Sequence, residues 1–200
     1  MNNLEVIIRL RNETGAGVMD CRKALEQGEQ NYERAVRILS EIAVLKAAKQ
    51  ADRQTAEGVI ELYSHGNGRI GVMVEINTET EFASRSDVFR KFAHEIALQI
   101  TSANPLYVLD ADIPAQVLEK LAGEAEEKAR SDGKPAHIIP MIVSGVLEKY
   151  RNTHVLLRQP YIRDETITVS DFLNRTISQI RENIVIRRFM RWEITPPAEE

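Results

Sequence analysis

The chain holds one cysteine and one tryptophan among 200 residues, and aromatic residues make up only 6% of it. A lone Cys21 cannot close an internal disulfide, so packing must hold the fold, and a reducing cytoplasm is the expected setting. No run approaches the roughly 18 uninterrupted apolar residues that a membrane helix requires. The opening MNNLEVIIRLRNE breaks its short apolar run with charges, so no leader peptide is expected. An excess of positive charge is missing too. The formal net charge is −4, which removes the broad basic surface used in non-specific nucleic-acid binding, although a local arginine patch escapes this argument.

What remains is an ordinary globular composition, 43% apolar and 28% charged, long enough for one core and a small satellite. Residues 1–53 read as three short helices. Leu4, Ile7, Ile8 and Arg11 share one face of the first, the turn Thr14-Gly15-Ala16-Gly17 follows, and Met19, Ala24 and Leu25 lie on a second that ends at Gly28. Asn31 is the expected N-cap of a third helix, with Ala35, Val36, Ile38, Leu39, Ile42 and Ala43 as its buried stripe.

From Gln54 the apolar period changes from helical to two-fold, which predicts a domain boundary there. Val59, Glu61 and Tyr63 alternate with Ile60 and Leu62, the tract SHGNG supplies a turn, and Ile70, Val72, Val74 and Ile76 line one face of a second strand. Ser86 or Asp87 is expected to cap a helix bearing Phe89, Phe92, Ala93, Ile96, Ala97 and Ile100, which should stop near Asn104 ahead of Pro105. Pro114 opens another helix through Val117, Leu118 and Leu121, and Ile138 to Leu147 mark one ending near Tyr150. Thr168 with Asp171 is expected to open a helix carrying Phe172, Leu173, Ile177 and Ile180. In the last strand, Ile184, Ile186, Met190, Trp192 and Ile194 share one parity. The expected class is α+β: a three-helix domain over 1–53, a core over 54–195 with a three-stranded antiparallel sheet covered by helices, and an acidic, proline-containing tail over 196–200.

Chemistry-bearing patterns are sparse. SHGNGRIG lies between strands and lacks the lysine of a phosphate-binding loop, so a hairpin turn is the simpler account. His65, His94, His137 and His154 show no paired ligand spacing, and no metal or cofactor is expected. Cys21 is expected to be a small buried hydrophobe, since Asp20 and Arg22 pull its thiol in opposite directions. Glu79 and Glu81 form a carboxylate pair only if both face one cleft; otherwise they decorate a solvated turn.

The conspicuous residue is Phe82, an aromatic after Thr80 and Glu81 where the second strand ends. It is either a core plug beneath Phe89 and Phe92 or an exposed wedge that desolvates on binding, with Glu81 offering a carboxylate to a partner. Arg187, Arg188 and Arg191 have mixed parity, which suits partner or dimer contacts and edge protection equally.

Five blocks carry a resemblance: LRNETGAGVMDCRKAL (Leu10 to Leu25), VEINTETEFA (Val74–Ala83), IALQITSANPLYV (Ile96–Val108), VLLRQPYIRD (Val155–Asp164) and ENIVIRRFMRWE (Glu182–Glu193). Together and in this order they resemble the bacterial elongation factor Ts family, in its short form with one core module. The resemblance implies a guanine-nucleotide exchange factor for elongation factor Tu, not an enzyme, promoting GDP release by disturbing the magnesium and phosphate site so that GTP can bind. It also implies that the three helices are a ubiquitin-associated-like domain, with Arg11, Val18 and Met19 at contact positions, and that the protein is a homodimer. Thr80, Glu81, Phe82 and Ala83 stand where the family usually has Thr-Asp-Phe-Val, the segment associated with magnesium displacement. Glu81 is one methylene longer than Asp, and Ala83 packs less than Val. The effect on GDP, GTP and magnesium is indirect, through the partner. Two other classes remain open: an RNA-associated translation protein using the local arginines, and an enzyme using Glu79, Glu81 or Cys21.

Overall fold

The computed structural model describes residues 3–194; the tail expected over 196–200 lies outside them. In chain order the elements are helices α1 (Asn3–Thr14), α2 (Val18–Gln27) and α3 (Tyr32–Ala48), strands β1 (Glu57–His65) and β2 (Ile70–Thr78), and helices α4 (Glu81–Ser84) and α5 (Asp87–Ala103). They continue with α6 (Ala115–Ser131), α7 (Ile139–His154), the strand pair β3 (Pro160–Tyr161) and β4 (Asp164–Thr168), α8 (Val169–Ile180) and β5 (Ile184–Glu193). Two compact units result: Ser102–Val169, and the described residues on either side of it in sequence.

In the larger unit, α1 to α3 close around Leu10, Cys21, Ala24, Leu25, Ala35 and Leu39. Local chemistry sets their ends. Gly15 takes φ +70° after α1, Gly28 donates its N–H to the Ala24 carbonyl at 2.8 Å, and the Asn31 side chain accepts from the Arg34 N–H at 3.0 Å as the N-cap of α3. The expected face of α1 is rotated. Leu10 and Thr14 are buried with Val6 and Ile7 packed beside them, while Leu4 and Ile8 are exposed. Apolar residues occupy more than one side of this short helix, so packing against α2 and α3 selects the face. Thr14 tolerates burial because its hydroxyl donates to the Leu10 carbonyl at 2.6 Å.

The sheet order is β1-β2-β5, antiparallel throughout. Val72, Val74 and Ile76 are buried on one face. That face is covered by α5, whose His94 reaches Glu61 at 3.1 Å and packs edge-on against Tyr63. Helix α5 buries Phe89, Phe92, Ile96 and Ile100, each burial stabilising by about 1.5–3 kcal/mol, and Phe92 meets Phe172 of α8 with ring centroids 5.1 Å apart. The helix ends where expected: Asn104 takes φ +44° ahead of Pro105.

The parity expected for β5 does not hold along its length. Glu75 pairs with Arg188, whereas Ile76 pairs with Ile186, so Arg187 is an extra residue, a β-bulge. Beyond it the faces exchange. Ile184, Ile186, Phe189 and Arg191 share the helix-covered side, while Val185, Arg188, Met190 and Trp192 face away. The mixed parity of the arginines is this bulge seen in one dimension.

In the smaller unit, α6 buries Ala125 and Ala129 and α7 buries Ile139. Helix α7 runs to His154, past the end expected near Tyr150. Leu106 and Tyr107 donate their N–H groups to the His154 carbonyl at 2.8 and 3.1 Å, satisfying a helix end that the local sequence leaves open. The ribbon β3–β4 was not legible in the apolar pattern because one of its strands has only two residues. Arg158 ties this unit together, pairing with Asp110 and, at 2.7 Å, with Glu148.

Candidate functional site

The segment Thr80–Ala83 begins with a non-helical residue and then winds into one helical turn, α4. Thr80 is extended (φ −128°, ψ 153°), and its hydroxyl oxygen accepts from the Ala83 N–H at 3.2 Å. Successive helical residues point about 100° apart, so burying one side chain turns its neighbour outward. Ala83 is buried at 3% exposure, and Phe82 stands 87% exposed. The core-plug alternative therefore fails: Phe89 and Phe92 already fill the space beneath α5. The smaller Ala83 is the residue that inserts.

Two carboxylates pin the strand end that carries this turn. Glu182 accepts from the Thr80 N–H at 3.0 Å, the Thr80 hydroxyl at 2.8 Å and the Thr78 hydroxyl at 3.2 Å. Glu79 accepts from the Asn183 N–H at 2.6 Å and pairs with Arg53 at 3.2 Å. The Asn183 side-chain amide donates to the carbonyls of Ala51 and Arg53, both at 3.1 Å. Glu81 instead pairs with Arg85 one turn on. Glu79 and Glu81 thus serve different cations and do not form a carboxylate pair in one cleft.

Glu182, Asn183 and Arg53 escape sequence reasoning. More than a hundred positions separate Glu182 from Thr80, and no period links them. The only signal is that Glu182 and Asn183 open the block ENIVIRRFMRWE.

The other expected contact residues lie on the first two helices. Arg11 is exposed in the last turn of α1, and Val18 and Met19 are exposed where α2 begins. Cys21, two residues further, is fully buried, and burial first, then the Asp20 carboxylate, pushes its thiol pKa up. That is the opposite of an activated nucleophile. The SHGNG tract is a hairpin turn with Gly66, Asn67 and Gly68 all at positive φ. Among the described residues there is no group of three or more His, Cys, Asp or Glu that could hold a metal ion, and no helix is long and apolar enough to cross a membrane.

Of the arginines, Arg188 pairs with Glu75 at 2.8 Å, and Arg191 donates to the Thr101 carbonyl at 3.3 Å and pairs with Glu193 at 2.8 Å. Arg187 is exposed at the bulge.

The face of the sheet turned away from α5 carries a row of apolar side chains. Leu62, Met73 and Met190 are directly opposite one another across the three strands, and Trp192 stands 74% exposed over Gly71. They border a shallow apolar depression of about 380 Å³.

Known proteins show the same organisation in sequence. Residues 18–176 match the family model described as Elongation factor TS. The chain is 47% identical over 193 residues to an Elongation factor Ts of Caldanaerobacter subterraneus subsp. tengcongensis, covering 96% of each chain. It is 46% identical to that of Carboxydothermus hydrogenoformans over 95% of this chain and 88% of the relative, and 43% identical to that of Coprothermobacter proteolyticus over 94% and 96%. A family model over most of the chain, with relatives this similar along nearly their full length, establishes that the chain belongs to the elongation factor Ts family, bacterial-type translation elongation factors that act as nucleotide-exchange factors and not as enzymes.

Proposed function

We propose that the protein accelerates GDP release from elongation factor Tu by inserting Phe82 near the partner's magnesium and phosphate site. The observation that carries this is an aromatic ring 87% exposed on a turn whose first residue is bonded to Glu182 and whose Ala83 is buried. Exposing a large apolar ring to water is unfavourable in the free protein, and the stabilisation is recovered when a partner desolvates it. Magnesium demands near-ideal octahedral geometry, so a small displacement of its surroundings weakens the nucleotide it bridges. Glu81, whose cation Arg85 is also exposed, can exchange that surface pair for one with the partner.

Residues 1–53 act as the ubiquitin-associated-like domain, and Arg11, Val18 and Met19 supply a second contact that fixes register. Exchange is reciprocal: a factor that weakens nucleotide by a coupling free energy is weakened by nucleotide to the same extent, so GTP binding expels it. The setting is the cytoplasm. Release of a fluorescent GDP from purified elongation factor Tu tests the reading. Phe82→Ala should slow the stimulated release at least tenfold while leaving the melting transition near wild type, and an unchanged rate overturns the wedge.

A specific observation also favours a homodimer. The row Leu62, Met73 and Met190 with Trp192 leaves apolar area in water that a second copy would cover. A two-fold contact sets this face against itself, and the neighbouring Glu75–Arg188 pair offers both signs of charge to its mate.

A further inference from the structure

From the carboxylate grip on the Phe82 turn, we infer that Glu182 is a positioning residue for nucleotide exchange, acting through Phe82 without touching the partner's nucleotide. The inference rests on the wedge reading above. The Thr80 hydroxyl has one proton and two lone pairs. Its proton is directed to Glu182 Oε1 at 2.8 Å, which aims a lone pair at the Ala83 N–H, 3.2 Å away. Glu182 Oε2 holds the Thr80 N–H at 3.0 Å and the Thr78 hydroxyl at 3.2 Å. A single carboxylate thus fixes the end of β2, the conformation of the N-cap and the first turn of α4, and with them the direction in which Phe82 leaves the surface.

The same geometry explains why the carboxylate is needed. Ionised, it is purely an acceptor, and three donors converge on it. Glutamine at this position keeps one acceptor oxygen and turns an amide donor toward one of the three. Toward Thr80 Oγ1 this reverses the hydroxyl and disturbs the cap; toward the Thr80 N–H it opposes donor to donor. Alanine removes the grip entirely, leaving α4 with Thr80 alone. A helix of four residues has little internal stability, so its orientation depends on such ties.

The test is a double-mutant cycle on stimulated GDP release, using the full chain and elongation factor Tu loaded with fluorescent GDP. Glu182→Ala should slow release about tenfold, within what a misplacement of about 1 Å costs, and Glu182→Gln should fall between it and wild type. In a Phe82→Ala background both should have no further effect, because the group they position is gone. That non-additivity is the readout a merely structural role would not produce, and should Glu182→Ala fold poorly, Glu182→Gln carries the cycle. An equal loss in both backgrounds, or no loss from either variant, overturns the inference. Phe82→Ala without effect removes the wedge reading and this inference together, whereas slow Phe82→Ala with unchanged Glu182 variants removes this inference alone.

Discussion

Glu75 lies opposite Arg188 across the sheet, bonded at 2.8 Å, while the next residue, Ile76, lies opposite Ile186. The residue squeezed out, Arg187, lets one strand present Ile184 and Ile186 to the core near one end and Met190 and Trp192 to the opposite face near the other. Deleting Arg187 should leave a strictly alternating strand with the same partners, Ile186 opposite Ile76 and Arg188 opposite Glu75, so Met190 and Trp192 should stay on the outer face and the loss should not exceed about 2 kcal/mol. Arg187→Ala keeps the residue count and should stay within about 0.5 kcal/mol of wild type. Denaturant titrations of the two variants make the comparison.

Gly58 has no room for a side chain. An added Cβ would sit 2.2 Å from the Ile76 carbonyl oxygen and 2.8 Å from the Asn77 Cα, both backbone atoms of the paired strand. Gly58→Ala should lower stability by more than about 2 kcal/mol, a melting shift of roughly 4–8 °C for a chain of this size. Gly68→Ala, where space is open but φ is +86°, should cost less, about 1 kcal/mol. Calorimetry distinguishes them.

The apolar row on the outer sheet face gives the homodimer its test. Met73 is central in that row and 45% exposed. Met73→Glu puts a charge in the middle of the proposed contact, so light scattering should report half the wild-type mass at the same concentration. Trp192 provides a second readout: its emission should shift to the red on dilution of the wild type and be red-shifted at all concentrations in the variant.

Met19 is exposed where α2 begins, two residues before the buried Cys21. Met19→Ala should raise the concentration needed for half-maximal GDP release several-fold, with maximal stimulation and melting temperature little changed. Phe82→Ala should do the reverse, lowering maximal stimulation more than apparent affinity.

Acid should loosen the smaller unit through Glu148. Hydrogen bonds from Arg158, then Arg151, hold its carboxyl below the usual value of 4.5. Because the folded pKa is the lower one, this contribution is complete above the unfolded value and is lost as pH falls through the folded one. Glu148→Gln should therefore flatten the loss of stability below about pH 4.5, measured by hydrogen exchange in α7. At neutral pH the effect should be small, since the pair is partly exposed.

Much of this molecule follows from local chemistry. The N-cap at Asn31, the stop at Gly28, the end of α5 before Pro105, the hairpin at SHGNG and the change of period at Gln54 each depend on a few neighbouring residues, whose backbone preferences and side-chain bonds are decided within one turn. The blocks of sequence also carried the family, and Thr80 to Ala83 became a candidate contact segment through its likeness to the family's own, since the residues by themselves left Phe82 as either core plug or wedge.

Tertiary structure decided the rest, since the deciding partners are distant in the chain. Whether Phe82 fills the core or faces water depends on which of two adjacent side chains the space beneath α4 admits, and it admits Ala83. The face of α1 was chosen by α2 and α3, the end of α7 by Leu106 and Tyr107, and the parity of β5 by a bulge visible only in its pairing with β2. The grip of Glu182 on Thr80 spans 102 positions. A hydrogen bond reads distance in space, and no periodicity along the chain encodes it.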